Sequence, residues 1–166
     1  ACILCCMNSF TSIFLLALAG GTLLELWLLW RHARHVRAHR DQVPPAFAER
    51  FSLDEHHKAA DYSLAKAGLG AFDVVLGAGL ILVWTLGGAL EALQTAWNGR
   101  LGSPLWEDLA RLLSFMLVSS LLALPMGAWR TFVLERRFGF NRTTSGRFAL
   151  DWLLGVVMTL VLGIPL

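Results

Sequence analysis

Several groups of side chains in this sequence are of types that do chemistry. His35 and His39 lie four apart, a spacing that puts two imidazoles on one helical face, but a metal site needs a third ligand and the sequence supplies none nearby. His57 and Asp61 repeat that spacing as a base and a carboxylate, and a polar helix surface accounts for them more simply than catalysis does. Cys2, Cys5 and Cys6 crowd the amino terminus, with no later cysteine for a disulfide and no His or Cys nearby to complete a zinc site; reversible lipidation of a thiol near the membrane is the remaining chemistry there. No residue is therefore assigned as a catalytic group, cofactor ligand or metal ligand. The distinctive stretch is Glu135-Arg136-Arg137-Phe138-Gly139-Phe140-Asn141-Arg142-Thr143-Thr144, a basic and aromatic loop between two apolar runs. In an extended segment Phe138 and Phe140 would face one side. Gly139 and Asn141 permit the positive φ of a sharp turn, and Thr143 or Thr144 can cap the helix that follows.

The elements that position this loop are membrane helices. Of 166 residues, 56% are hydrophobic and 16% charged, and the mean hydropathy is +0.58, whereas a soluble domain is about a quarter charged. Residues 10–30, 69–93, 109–129 and 150–166 form apolar runs close to the roughly 20 residues that cross a bilayer as a helix. The expected fold is all-α: a polytopic helical membrane protein with about four transmembrane helices and a cytoplasmic helical extension, organised as a tail over residues 1–9 and a membrane domain over 10–166. The last run is still apolar at Leu166, which fits either a short final helix or a chain cut within a larger protein. Met7 is an alternative start to Ala1.

Of the 14 Lys and Arg residues, seven fall between the first and second runs, two at the next connection (Arg100, and Arg111 just inside the third run) and five between the third and fourth. That alternation places the amino terminus outside and the first and third loops in the cytoplasm. No basic residue precedes the first run, which argues against a cleaved signal peptide. After Trp27 and Trp30, an aromatic belt, Arg31, Arg34, Arg37 and Arg40 continue at helical spacing, so the first helix is expected to project from the membrane until Pro44-Pro45. Basic clusters of this kind bind nucleic acid or anionic headgroups. Here the cluster reads foremost as an orientation anchor, with the lipid bilayer as partner and no nucleic acid.

Ser52-Leu53-Asp54-Glu55 is a capping box that starts a second cytoplasmic helix running toward the bilayer. Glu25 and Asp73 are ionisable groups within apolar runs, and such groups either reach for the interface or serve a function; they are secondary site candidates. Asn98-Gly99, Gly102 and Ser103-Pro104 form a connector leading into a helix with Pro at its first position. Pro125 is expected to kink the third membrane helix. Ser119, Ala123 and Gly127, and then Gly155, Thr159 and Gly163, form small-residue stripes suited to close helix packing. Asp151 either complements a helix dipole or pairs with a loop arginine.

Residues 135–144 resemble the signature of the amino-terminal membrane domain of CAAX prenyl protease 1 type zinc metallopeptidases. An early helix, a basic segment leading to Val43-Pro44 and Phe47, a cytoplasmic helix ending near Tyr62 and alternating membrane runs agree with that domain. The resemblance implies helices that wall a chamber, and a downstream His-Glu-x-x-His helix that supplies two zinc ligands and the general base. Histidine occurs here only at positions 32, 35, 39, 56 and 57, without that motif. The expected role is thus the non-catalytic membrane portion of a zinc metalloendopeptidase, with Glu135, Arg136, Phe138, Gly139, Phe140, Asn141, Arg142 and Thr143 as its motif loop. Its expected partner is a catalytic part in cis or in trans, zinc belonging to the full-length family only. The alternative is a standalone membrane interaction protein without peptidase activity.

Overall fold

The computed structural model describes residues 9–43 and 52–163; the terminal cysteines, Met7, Pro44-Pro45, Phe47 and Leu166 lie outside these. Five α-helices follow in order: α1 (Ser9–Ala38), α2 (Leu53–Thr85), α3 (Ala89–Trp97), α4 (Pro104–Trp129) and α5 (Ser145–Gly163), with a π-helical segment, Arg130–Glu135, continuing α4. There is no strand among the described residues. The helices Ser9–Ala38, Leu53–Thr85 and Pro104–Glu135 are each long and apolar enough to cross a membrane. Leu, Val, Ile and Phe side chains stand exposed along them, and the buried hydrophobic positions among the described residues are Ala60, Ala67 and Leu134. Apolar surface on the outside is the arrangement that lipid, rather than water, selects.

The chain forms two compact units, Ala1–Ile81 and Leu82–Leu166. In the first, α1 and α2 run antiparallel: Arg40 meets Asp61, and nearer the other end of α1 Leu29 lies 3.7 Å from the position a side chain on Gly70 would take. The capping box forms as the sequence dictates. The amide of Ser52 donates to Glu55 Oε2 at 2.9 Å and the amide of Glu55 donates to Ser52 Oγ at 3.3 Å. The cytoplasmic helix expected from that box and the second apolar run are one continuous helix, which ends at Thr85 rather than near Leu93. Its end is set by glycine: the amide of Gly87 donates to Leu82 O at 2.9 Å, and Gly88 takes φ 75° before α3 begins.

Helix α1 ends at Ala38, short of the expected Pro44. His39 folds its ring back so that Nδ1 lies 2.9 Å from His35 O, and Arg40 turns toward Asp61 on α2. The helix thus continues past Trp30 through the basic segment as expected, and the Arg40–Asp61 ion pair lies just beyond its end at Ala38.

In the second unit α4 is the hub. The indole of Trp97 on α3 donates to Ser114 Oγ at 3.0 Å and that of Trp152 on α5 donates to Ser120 Oγ at 2.7 Å. Trp84 and Phe115 meet edge to face at 4.8 Å. An indole N–H has no water to satisfy it in an apolar setting, so each pair fixes a helix to α4 at one register. Ser103 is extended and Pro104 occupies the first turn of α4, as the sequence indicates. Arg111 spans Glu107 and Asp108 one turn further on. Helical bonding continues past Pro125, and the widening to π geometry comes at Arg130. The α4 stripe packs at Gly127, 3.6 Å from Phe148 when a Cβ is placed there. The α5 stripe does not pack closely among the described residues: Gly155 and Thr159 line an open cleft of about 450 Å³ with Ser120 and Trp152, because the Trp152 side chain, held by Ser120, spaces the helices apart.

Candidate functional site

The distinctive stretch is the end of a helix joined to the start of the next. From Arg130 to Glu135 the backbone takes the wider π turn, with Leu134 buried; such segments recur at functional sites, since one extra residue rotates everything that follows. Phe132 on this segment meets Phe148 on α5 edge to face at 5.3 Å, and this ring pair anchors both sides of the loop.

The helix then closes with a Schellman motif. Gly139 has φ 77°, its amide donates to Arg136 O at 3.1 Å, and the amide of Phe140 donates to Glu135 O at 2.9 Å. These are the two bonds that satisfy the orphan carbonyls of a helix end, and the positive φ they need explains glycine at this position. Glu135 O also accepts from the amide of Asn141 at 3.2 Å. Glu135, Arg136 and Arg137 are thus the last helical turn rather than a loop, and Phe138 and Phe140 flank a turn rather than an extended segment. Asn141 does not take the positive φ that its type permits. Instead its Oδ1 accepts from the amide of Thr143 at 2.6 Å, an Asx turn. Of the two candidate caps, Thr144 acts: its Oγ1 accepts from the amide of Arg147 at 3.4 Å at the start of α5.

The surface so built is cationic and aromatic. Arg136, Arg137 and Arg142 are exposed, while Glu135, Phe138, Asn141 and Thr143 are half-buried. Phe140 is 53% exposed, and the Arg137 guanidinium stands 6.0 Å from the Phe138 ring. Backbone groups are consumed in holding the turn, so the side chains, cationic and aromatic, are what face outward.

The secondary candidates Glu25 and Asp73 come together. They line one cleft of about 400 Å³ between α1 and α2, with Thr22, Gly21 and Gly77 on its walls. The sequence shows each carboxylate inside an apolar run; only antiparallel pairing of the helices brings them to the same cleft.

A polar clasp at the connection between α1 and α2 has weaker signals. Arg40 donates to both carboxylate oxygens of Asp61, at 2.8 and 2.9 Å, and this hydrogen bonding, more than the charge itself, raises the Arg40 pKa above its ordinary value. His57 Nε2 lies 2.9 Å from Asp41 Oδ1, within ion-pair distance but outside hydrogen-bond alignment, and His56 Nε2 lies 3.1 Å from His39 O. The pairing of His57 with Asp61 suggested by spacing gives way to separate partners across the connection. These histidines do not fit zinc. His35 and His39 stack with centroids 4.2 Å apart, the other ring contacts go to a backbone carbonyl and to Asp41, and among the described residues no group of three potential ligands converges.

Long helices with apolar exteriors, a cleft between two of them that bears carboxylates, and a basic helix end define a polytopic helical membrane protein. Residues 32–166 match the sequence profile described as CAAX prenyl protease N-terminal, five membrane helices, and the chain belongs to that family. It is 26% identical over 157 residues to the CAAX prenyl protease 1 homolog of Caenorhabditis elegans, with 93% of this chain and 34% of that protein covered. To CAAX prenyl protease 1 of Saccharomyces cerevisiae it is 24% identical over 152 residues, covering 86% of this chain and 33% of the relative. The crystal structure of S. mikatae Ste24p superposes with a TM-score of 0.79 at 24% identity, over 89% of this chain and 35% of that one, a likeness of fold. The chain spans about a third of the length of the curated relatives named here.

Proposed function

We propose that this chain is the non-catalytic membrane portion of a CAAX prenyl protease 1-like zinc metalloendopeptidase, walling part of a membrane chamber and positioning a catalytic part supplied in cis or in trans. The observation that carries this reading is the helix end at residues 135–144, where a fixed backbone turn presents exposed Arg136, Arg137, Phe140 and Arg142 with no catalytic group among them. A rigid turn presenting cations and an aromatic ring serves docking, since pre-organised side chains lose little freedom on contact. The amino terminus is placed outside, with the first and third loops cytoplasmic, on the distribution of Lys and Arg. Zinc belongs to the catalytic part, where a His-Glu-x-x-His helix would hold it.

Purified alone, the chain should leave a prenylated CAAX peptide uncut. Combined with a part bearing that motif, it should support cleavage and co-purify with it. Replacing Phe138 and Phe140 together by Ala should weaken that assembly while each half keeps its helicity. Cleavage by the isolated chain would refute the proposal, and undiminished assembly of the double variant would remove the two rings from the docking surface.

A further inference from the structure

The arginines that follow the first membrane span are not equivalent. Arg40 is taken up by Asp61 and lies 3.6 Å from Asp41. Arg31, Arg34 and Arg37 are exposed and meet no carboxylate among the described residues. Two of them are nevertheless held: the Arg31 guanidinium lies 5.3 Å from the ring centroid of Trp27 and that of Arg34 5.5 Å from Trp30. Each is an i, i+4 pair on α1, so the two pairs are the same unit repeated three residues on. Three residues advance a helix by roughly 4.5 Å and return to within about 60° of the same face. The two guanidinium groups are therefore neighbours of like charge at the level of the tryptophans.

We infer that these two Trp–Arg pairs form a binding site for the headgroup of an anionic phospholipid, holding its phosphate and selecting its net negative charge over a zwitterionic headgroup that carries the same phosphate. A guanidinium against an indole leaves N–H donors at its planar edge, the geometry that grips phosphate through two bonds. The indole contact restricts the arginine rotamers beforehand, so less freedom is lost on binding. A phosphate between Arg31 and Arg34 relieves the repulsion that no carboxylate among the described residues relieves. The occupant is a lipid because Trp27 and Trp30 are themselves 48% and 57% exposed and close a run of lipid-compatible residues in α1: the indoles sit where tail meets headgroup, a depth that fixes a phosphate at the arginines. Arg37, a further three residues on, lacks a tryptophan four residues before it, where Ala33 stands, so no indole holds its guanidinium.

The test is native mass spectrometry of the full-length protein titrated with phosphatidylserine, with phosphatidylcholine and with inorganic phosphate. At about 1 kcal/mol per basic residue near the surface, the pair corresponds to roughly thirtyfold preference for phosphatidylserine over phosphatidylcholine, about 2 kcal/mol at 1.4 kcal/mol per tenfold. R31Q/R34Q should abolish the preference and R37Q should leave it largely intact; R31Q and R34Q singly should each remove roughly fivefold, which keeps the test available where the double variant fails to fold. Equal retention of the two lipids by the unaltered protein, or a preference that survives R31Q/R34Q, would overturn the assignment. Displacement of bound phosphatidylserine by inorganic phosphate at matched concentration would also overturn it, by showing that the lipid is not what the site selects.

Discussion

Replacing Gly139 by Ala probes the turn on which the proposed docking surface depends. At φ 77° the residue sits in the left-handed region, where a Cβ costs about 1–2 kcal/mol. Ala also restricts the unfolded chain, which returns about 0.4–1 kcal/mol. The net expectation is a loss of roughly 0.5–1.5 kcal/mol, a fall of about 2–4 °C in Tm per kcal/mol for a chain of this size. Asn tolerates this conformation better than Ala, so G139N should retain more of the stability than G139A. Thermal unfolding in one detergent, followed by far-ultraviolet circular dichroism, measures both. Because Glu135 O accepts from both Phe140 and Asn141, the loss should be accompanied by faster amide exchange at those two residues, with Trp152 and its α5 neighbours little changed. A Tm for G139A equal to or above that of the unaltered chain, or indistinguishable values for Ala and Asn, would refute the Schellman geometry and with it the fixed presentation of Phe140.

Gly87→Ala should destabilise by about 1–3 kcal/mol, since a Cβ there would come within 2.6 Å of Val83 O and 2.9 Å of Val83 Cα; Gly77→Ala, with nothing within 4 Å, is the control in the same melt. A double-mutant cycle on W152F and S120A should give a coupling of about 1 kcal/mol for the 2.7 Å bond between α5 and α4, and additive losses would show that the bond contributes nothing. The pairing of Arg40 with Asp61 raises the Arg40 pKa, so on the arginine side its contribution is complete below the already very high unfolded value and is lost only as pH rises through the still higher folded value. The coupling between R40Q and D61N should accordingly be the same at pH 7 and pH 9; a coupling that vanishes at pH 9 would show that another group sustains the clasp.

The parts legible in the sequence are those set by neighbours along the chain. The capping box at Ser52 and Glu55, Pro104 in the first turn of α4, the cap at Thr144 and the positive φ at Gly139 each depend on a few consecutive residues, and each is found where residue type indicates. The end of α1 was not legible, because Arg40 is drawn off the helix by Asp61, 21 residues away. The extended reading of Phe138 and Phe140 fails for a related reason. Alternation along a strand and a Schellman turn both place glycine between two aromatic residues, and only the hydrogen bonds to Glu135 O and Arg136 O distinguish them. The α5 stripe shows that small residues permit close approach without producing it, since Trp152 bonded to Ser120 decides the spacing.

A carboxylate at apolar depth is tolerated when it faces a partner or a water-filled space rather than lipid. Glu25 and Asp73 lie on separate helices, yet antiparallel pairing turns both into one cleft lined with Gly21, Thr22 and Gly77. Small side chains share the lining of that cleft, and Phe72 and Val75, near Asp73 on α2, are 59% and 54% exposed and present apolar surface that lipid can cover. The α1 and α2 pair thus carries both a carboxylate-bearing cleft and exposed apolar side chains, which the proposed wall would use. In the second unit the cations and Phe140 gather at the turn between the π segment and α5, away from the apolar lengths of those helices. Lateral faces that contain and an end that docks are the two properties the proposed role demands, and they arise from different residues, so altering Gly139 should disturb the docking end while leaving the cleft at Glu25 and Asp73 intact.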